Sequence, residues 1–214
     1  MIQIFDGVLD GRFAKIDSNK LAQVCENHAA LMDRSPSWLN FENTLEINCS
    51  PHSASDQEVI SDYLIMIIFP LIQNYRLNAS GAEWWCNMNN QLGWHVDKDE
   101  AWNNLHGQIK CPLLSTVYYP ISDCYGGELL LLDGDADIET QARVEVSSPE
   151  YDPSLISRIT RIPAKKNRLV VFSPGLVHRV NPFVGERYSL AVNIWQDRPV
   201  MNNVCELDDD NAFD

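Results

Sequence analysis

The sequence predicts a mainly β domain, an antiparallel sandwich or barrel carrying N-terminal helices (α+β). Three observations carry that prediction. Helical spacing of apolar residues is confined to the first 80 positions, short runs rich in aromatic and β-branched residues follow, and no helix of comparable strength interrupts those runs. A parallel βαβ architecture would need such alternation.

In chain order, Leu21 to Met32 has apolar residues at helical spacing, with Ser18 placed as its cap. Asp56 is placed to cap a second helix running from Glu58 to Tyr75, which Pro70 should kink or divide. The most apolar segment, Tyr63 to Ile72, is about half the length of a membrane span, and Asp62 precedes it. It reads as a buried helix, and no membrane partner is expected. The strand-like runs are EWWCNMN (83–89), STVYYPI (115–121), GGELLLL (126–132), RLVVFS (168–173) and YSLAVNIW (188–195), each bounded by turn residues. The segment Asp133 to Ser157 is the longest expected loop and a candidate cover for a substrate. These readings give one domain, with helical support over 1–80, a β core over 81–198 and an acidic tail over 199–214.

Composition narrows the function classes. With 45% apolar and 21% charged residues the chain is ordinary globular material, and its charge of 16 minus 30, or -14, repels a phosphate backbone. Nucleic acid is excluded as a partner on that ground. The basic stretch of Arg158, Arg161, Lys165, Lys166 and Arg168 reads as solvated surface, and Asp99 and Glu100 as a solvated acidic turn. Six cysteines without a CxxC pair, and an N-terminus lacking a basic start and apolar run, point to a reduced cytoplasmic protein.

The chemistry is concentrated around GWHVDKDE. With 5 His and 18 Asp in 214 residues, an HxD tripeptide arises by accident about two times in five, so it says little alone. On a strand, however, His95 and Asp97 would share a face. His178 follows a predicted strand and a Pro-Gly turn and is the candidate third ligand. Two histidines and one carboxylate form a facial triad that suits Fe(II) and leaves coordination positions open. Nine residues later Arg187 begins a stretch in which Arg187, Ser189, Ala191 and Asn193 share one face. An inward arginine is costly unless an anion meets it, so the barrel should hold a carboxylate ligand.

At this point the sequence resembles the Fe(II)- and 2-oxoglutarate-dependent oxygenases, and among them the prolyl-4-hydroxylase-like group. The resemblance covers about residues 83–196 and rests on four ordered elements: HVD, TVYYP followed by GGELLLLD, VFSPGLVH, and RYS. It implies a double-stranded β-helix (jelly-roll, cupin-like) barrel in which His95, Asp97 and His178 ligate Fe(II). It further implies that Arg187 pairs with the distal carboxylate of 2-oxoglutarate, helped by Ser189 and by the hydroxyl of Tyr119. Tyr118 and Tyr119 are adjacent, so alternation sends one inward, and Tyr119 holds the family's usual position before the turn. Gly126 and Gly127 resemble the family's GGxL strand entry. Inward-facing Asn87 and Asn193 are the substrate-side candidates, while Trp84, Trp85 and Trp195 read as core. The implied reaction uses O2, decarboxylates 2-oxoglutarate to succinate and CO2, and hydroxylates an unactivated C–H bond. Its substrate would be a prolyl or other residue in a peptide or protein, with a free amino acid or other small metabolite as the alternative. A cupin-like metal-binding module without turnover is the reading from another class, and an arginine clamp for a carboxylate argues against it.

Overall fold

A computed structural model describes residues 1–10, 16–30, 37–41, 47–48, 54–88, 92–132 and 153–200. Eleven strands are found among them: β1 (Ile2–Asp6), β2 (Ser37–Asn40), β3 (Ile47–Asn48), β4 (Gly81–Asn87), β5 (Leu92–His95), β6 (Leu114–Gly126), β7 (Leu129–Leu132), β8 (Ile159–Ile162), β9 (Arg168–Phe172), β10 (His178–Val180) and β11 (Phe183–Trp195). They form a seven-stranded sheet in the order β1-β9-β6-β11-β4-β2-β3 and a four-stranded sheet in the order β5-β10-β7-β8. Every described pairing is antiparallel. Tyr119, Val170 and Phe172 of the large sheet pack against Leu129, Leu131 and Ile162 of the small one. The fold is the expected jelly-roll.

Helices cover the outer face of the large sheet. Leu21, Val24 and Cys25 of α1 (Ser18–Ala30), together with Ile60, Tyr63, Leu64 and Ile68, bury against Trp84, Tyr118, Leu190, Val192 and Ile194. Because both faces of the large sheet are covered, β11 is buried continuously from Arg187 to Trp195. No helix among the described residues is long and apolar enough to cross a membrane.

Several local expectations are corrected. Helix α1 is capped by Asp17, not Ser18: the Asp17 Oδ1 accepts from the backbone N–H of Asn19 (2.9 Å) and Lys20 (3.4 Å). The second helix, α2 (Ala54–Tyr63), starts earlier than predicted, so Asp56 lies in its first turn, not at its cap. The helical run is divided just before Pro70, as expected, but does not end there. A π-helical turn (Leu64–Ile68) precedes it, with the Phe69 N–H donating to the Leu64 carbonyl, and Pro70 then opens α3 (Phe69–Tyr75). Widening the helix just before a proline relieves the crowding of its ring and the loss of its N–H. The first 80 residues also supply β1, β2 and β3, which pair into the large sheet. Residues 133–152 of the expected loop and 201–214 of the acidic tail lie outside the described residues.

Candidate metal centre

Strand β5 ends on His95 and β10 begins on His178, and the two pair with these residues directly opposite each other. Their rings lie 4.1 Å apart between centroids. Asp97 follows β5 beyond the buried Val96 and returns to the same side, with Oδ1 3.9 Å from Nε2 of His95 and 3.7 Å from Nε2 of His178. One donor atom from each of the three residues falls within 4.8 Å of the others. Asp97 is thus brought in by the chain leaving the strand, not by strict strand alternation.

The second atoms of these groups are held as well. Nδ1 of His95 lies 2.8 Å from the Gly93 carbonyl and Nδ1 of His178 lies 2.9 Å from that of Leu176. A carbonyl only accepts, so each Nδ1 is the donor, and in the neutral imidazole that leaves the lone pair on Nε2. Burial, then the neighbouring His95, pushes the His178 imidazole down to about 4, which keeps it in the neutral form that binds metals. The hydroxyl of Ser115 donates to Oδ2 of Asp97 at 2.8 Å. Two imidazoles and one carboxylate oxygen, converging on a single point, are a donor set that fits Fe(II).

Arg187 lies on the inner face of β11 and is 2% exposed, yet none of its three guanidinium nitrogens has a hydrogen-bond partner among the described residues. The rings of Tyr119 and Phe183 lie 5.0 Å and 5.5 Å from its guanidinium carbon. The buried hydroxyl of Tyr119 also has no partner at hydrogen-bond geometry among the described residues. Burial raises its pKa against the opposing pull of Arg187, so it stays a donor at neutral pH. A buried cation beside a free hydroxyl is a receptor for a carboxylate. Gly127 makes the space. Its φ is +74°, and a Cβ there would lie 2.9 Å from Cδ of Arg187.

The remaining candidates divide. Tyr118 and Tyr119 are both fully buried, because the sheet is covered on both faces: Tyr118 packs on Tyr63 at 5.3 Å between ring centroids, and Tyr119 faces the small sheet. The Ser189 hydroxyl donates to the Asn87 carbonyl at 3.3 Å, across the β4–β11 pair. Asn193 is buried and sits opposite Glu83 on β4 and Ser115 on β6, while Asn87 is half-buried at the end of β4. Asp99 is not a solvated turn residue. It is buried, caps α4 (Glu100–His106) through the Trp102 N–H at 2.9 Å, and accepts from the Val200 N–H at 2.8 Å.

Glu83 was not singled out from the sequence. Its Oε2 accepts from Nε1 of Trp195 at 3.1 Å. Burial, with the charges of Asp97 and Asp99 adding to it, pushes this carboxyl up to about 7 against hydrogen bonds from Trp195 and Asn193. Its spacing of four from the inward Asn87 was the available signal.

Residues 83–195, just over half of the chain, match the profile of the 2OG-Fe(II) oxygenase superfamily. Among solved structures, a Pseudomonas putida prolyl-4-hydroxylase superposes with a TM-score of 0.53 at 13% identity, covering 92% of this chain and 88% of that one. A prolyl hydroxylase of Trichoplax adhaerens, solved with a peptide fragment of the hypoxia inducible factor oxygen degradation domain, gives 0.50 at 13% identity, covering 91% and 83%. At such identities the likeness is one of fold. No curated protein matches the chain in sequence.

Proposed function

The chain belongs to the 2OG-Fe(II) oxygenase superfamily, whose members use Fe(II), 2-oxoglutarate and O2, and we propose that His95, Asp97 and His178 are its iron ligands. We assign it the hydroxylation of a C–H bond in a prolyl or other residue of a peptide or protein, with release of succinate and CO2. The observation that carries this reading is the pairing of a converging Nε2, Nε2, Oδ1 set with a buried arginine that lacks an acceptor among the described residues. The peptide preference is supported by the prolyl-4-hydroxylase-like order of the sequence elements and by the peptide present with the Trichoplax relative.

Iron and 2-oxoglutarate together, when bound, supply the activation of O2. The chain's own residues supply orientation, charge and exclusion of water. The two Nδ1–H groups aim their imidazoles from the backbone. Arg187 offers a planar fork to the distal carboxylate of 2-oxoglutarate, and Tyr119 adds a hydroxyl donor beside it. Ser189 and the half-buried Asn87 lie side by side on β11 and β4, and we assign Asn87 and Asn193 to the substrate side of the pocket. Phe172, 5.0 Å from the His178 ring, shields that ligand from solvent.

The test is succinate formation from 2-oxoglutarate with Fe(II) and O2, run beside mass spectrometry of proline-containing peptides and free amino acids for the gain of one oxygen atom. His178→Ala should lose both Fe(II) retention and turnover. Normal turnover in that variant removes His178 from the centre, and oxidation of free amino acids alone removes the peptide assignment.

A further inference from the structure

Each of the three donor residues carries a second heteroatom, and each of those is tied down. For the histidines the tie is the backbone, through the Gly93 and Leu176 carbonyls. Asp97 is different, because its tie is a side chain from another strand. Ser115, on β6 and 1% exposed, donates its hydroxyl to Oδ2 at 2.8 Å, while Oδ1 is the oxygen that faces both imidazole Nε2 atoms. An untied carboxylate can offer a cation either oxygen, or both at once. A bidentate Asp97 would fill a coordination position that a chelating cosubstrate needs.

We propose that Ser115 is the positioning residue of the metal centre: by holding Oδ2, it makes Asp97 present Oδ1 alone and keeps the remaining coordination positions open. This rests on the reading of His95, Asp97 and His178 as the iron ligands. The neighbours of Ser115 support it. Across the inner face Ser115 lies opposite Asn193, which is opposite Glu83, so a polar row crosses three strands and ends on the ligand carboxylate. Within that row the serine hydroxyl donates to Asp97 Oδ2.

The same strand contains its own control. Thr116 is as buried as Ser115 but points to the opposite face, where its hydroxyl donates to the Val192 carbonyl at 3.1 Å. Removing either hydroxyl costs one buried hydrogen bond on β6, and only one of them touches a ligand. Ser115→Ala should weaken anaerobic Fe(II) binding by about 10- to 100-fold. Thr116→Val should leave it unchanged, with both metal-free variants melting below wild type. Co(II) loaded in place of iron reports coordination number through its visible absorption, and that spectrum should change in Ser115→Ala alone. Ser115→Thr, which keeps the hydroxyl, should recover the wild-type spectrum. Wild-type Fe(II) affinity and Co(II) spectrum in Ser115→Ala overturn the proposal, as does an equal loss of affinity in Thr116→Val, which would make the effect one of packing. Undiminished Fe(II) binding in His178→Ala would instead bring down the ligand assignment itself, a separate result.

Discussion

Arg187→Met should make the ligand-free protein more stable while destroying its response to 2-oxoglutarate. The three guanidinium nitrogens are buried without acceptors among the described residues. A buried unsatisfied polar group costs about 1–3 kcal/mol, and a charged one more. The aromatic faces of Tyr119 and Phe183 return part of that, about 0.5–2 kcal/mol. Methionine keeps an unbranched, space-filling side chain without the charge. A net gain of about 1–3 kcal/mol is expected, which for a chain of this length is roughly 2–12 °C in melting temperature. With metal and 2-oxoglutarate present that advantage should be largely offset. Wild type gains about 2.7 kcal/mol at a hundredfold excess over Kd. The variant loses about 2–5 kcal/mol of binding, or roughly 30-fold to several-thousand-fold in affinity, and gains little. Calorimetric melting under anaerobic conditions, with and without Fe(II) and 2-oxoglutarate, reads both effects. A variant that melts below wild type without ligand, or one that 2-oxoglutarate stabilises as much as wild type, would refute the reasoning. Cosubstrate Michaelis constants should rise in the order wild type, Arg187→Lys, Arg187→Ala, with Fe(II) affinity nearly constant across the three, because the lysine keeps charge but loses the fork.

Gly127→Ala should cost about 1–2 kcal/mol of stability from its positive φ and should also weaken 2-oxoglutarate binding, since the new methyl displaces Cδ of Arg187; unchanged cosubstrate affinity in a folded variant would show that the arginine has other room. The Glu83 carboxyl, ordinarily at 4.5, is pushed up to about 7, so between those values the folded protein holds a proton that the unfolded chain has released. Stability therefore falls as pH rises from 4.5 to about 7, by no more than about 3 kcal/mol for this group. Denaturant unfolding of the metal-free protein at several pH values should show that Glu83→Gln lacks this decline relative to wild type, and parallel curves for the two proteins would place the titration elsewhere.

What was legible in the sequence was what a single strand or a scarce residue type can announce. The five long runs became β4, β6, β7, β9 and β11, because β-branched and aromatic residues bounded by turns suit a covered sheet. His95, Asp97, His178 and Arg187 stood out because few residue types bind metals or carboxylates. Strands β2, β3, β5 and β10, of two to four residues, have no pattern of their own and exist by pairing with their neighbours. Glu83 and Ser115 were invisible for a related reason. Their partners, Trp195 and Asp97, are 112 and 18 positions away, and only the register between strands brings them together.

The choice between Tyr118 and Tyr119 shows how register decides chemistry. Near the open end of the β6–β11 pair, Arg187 is opposite Ser122 and Tyr188 opposite Ile121. Continued without interruption, that register would place Leu190 opposite Tyr119 and Asn193 opposite Thr116, turning Tyr119 toward the helices and Ser115 away from Asp97. Instead Leu190 is opposite Tyr118 and Asn193 opposite Ser115, so β6 carries one extra residue in the stretch that contains Tyr119 and Pro120. Proline has no N–H to give to a ladder, and bulges are among the few places where a central strand tolerates it. A one-residue shift exchanges the two faces of everything beyond it. The bulge therefore puts Tyr119 beside Arg187 and Ser115 beside Asp97 in the same step, and strict alternation through STVYYPI, counted inward from the Arg187 end, would have turned both away from the site.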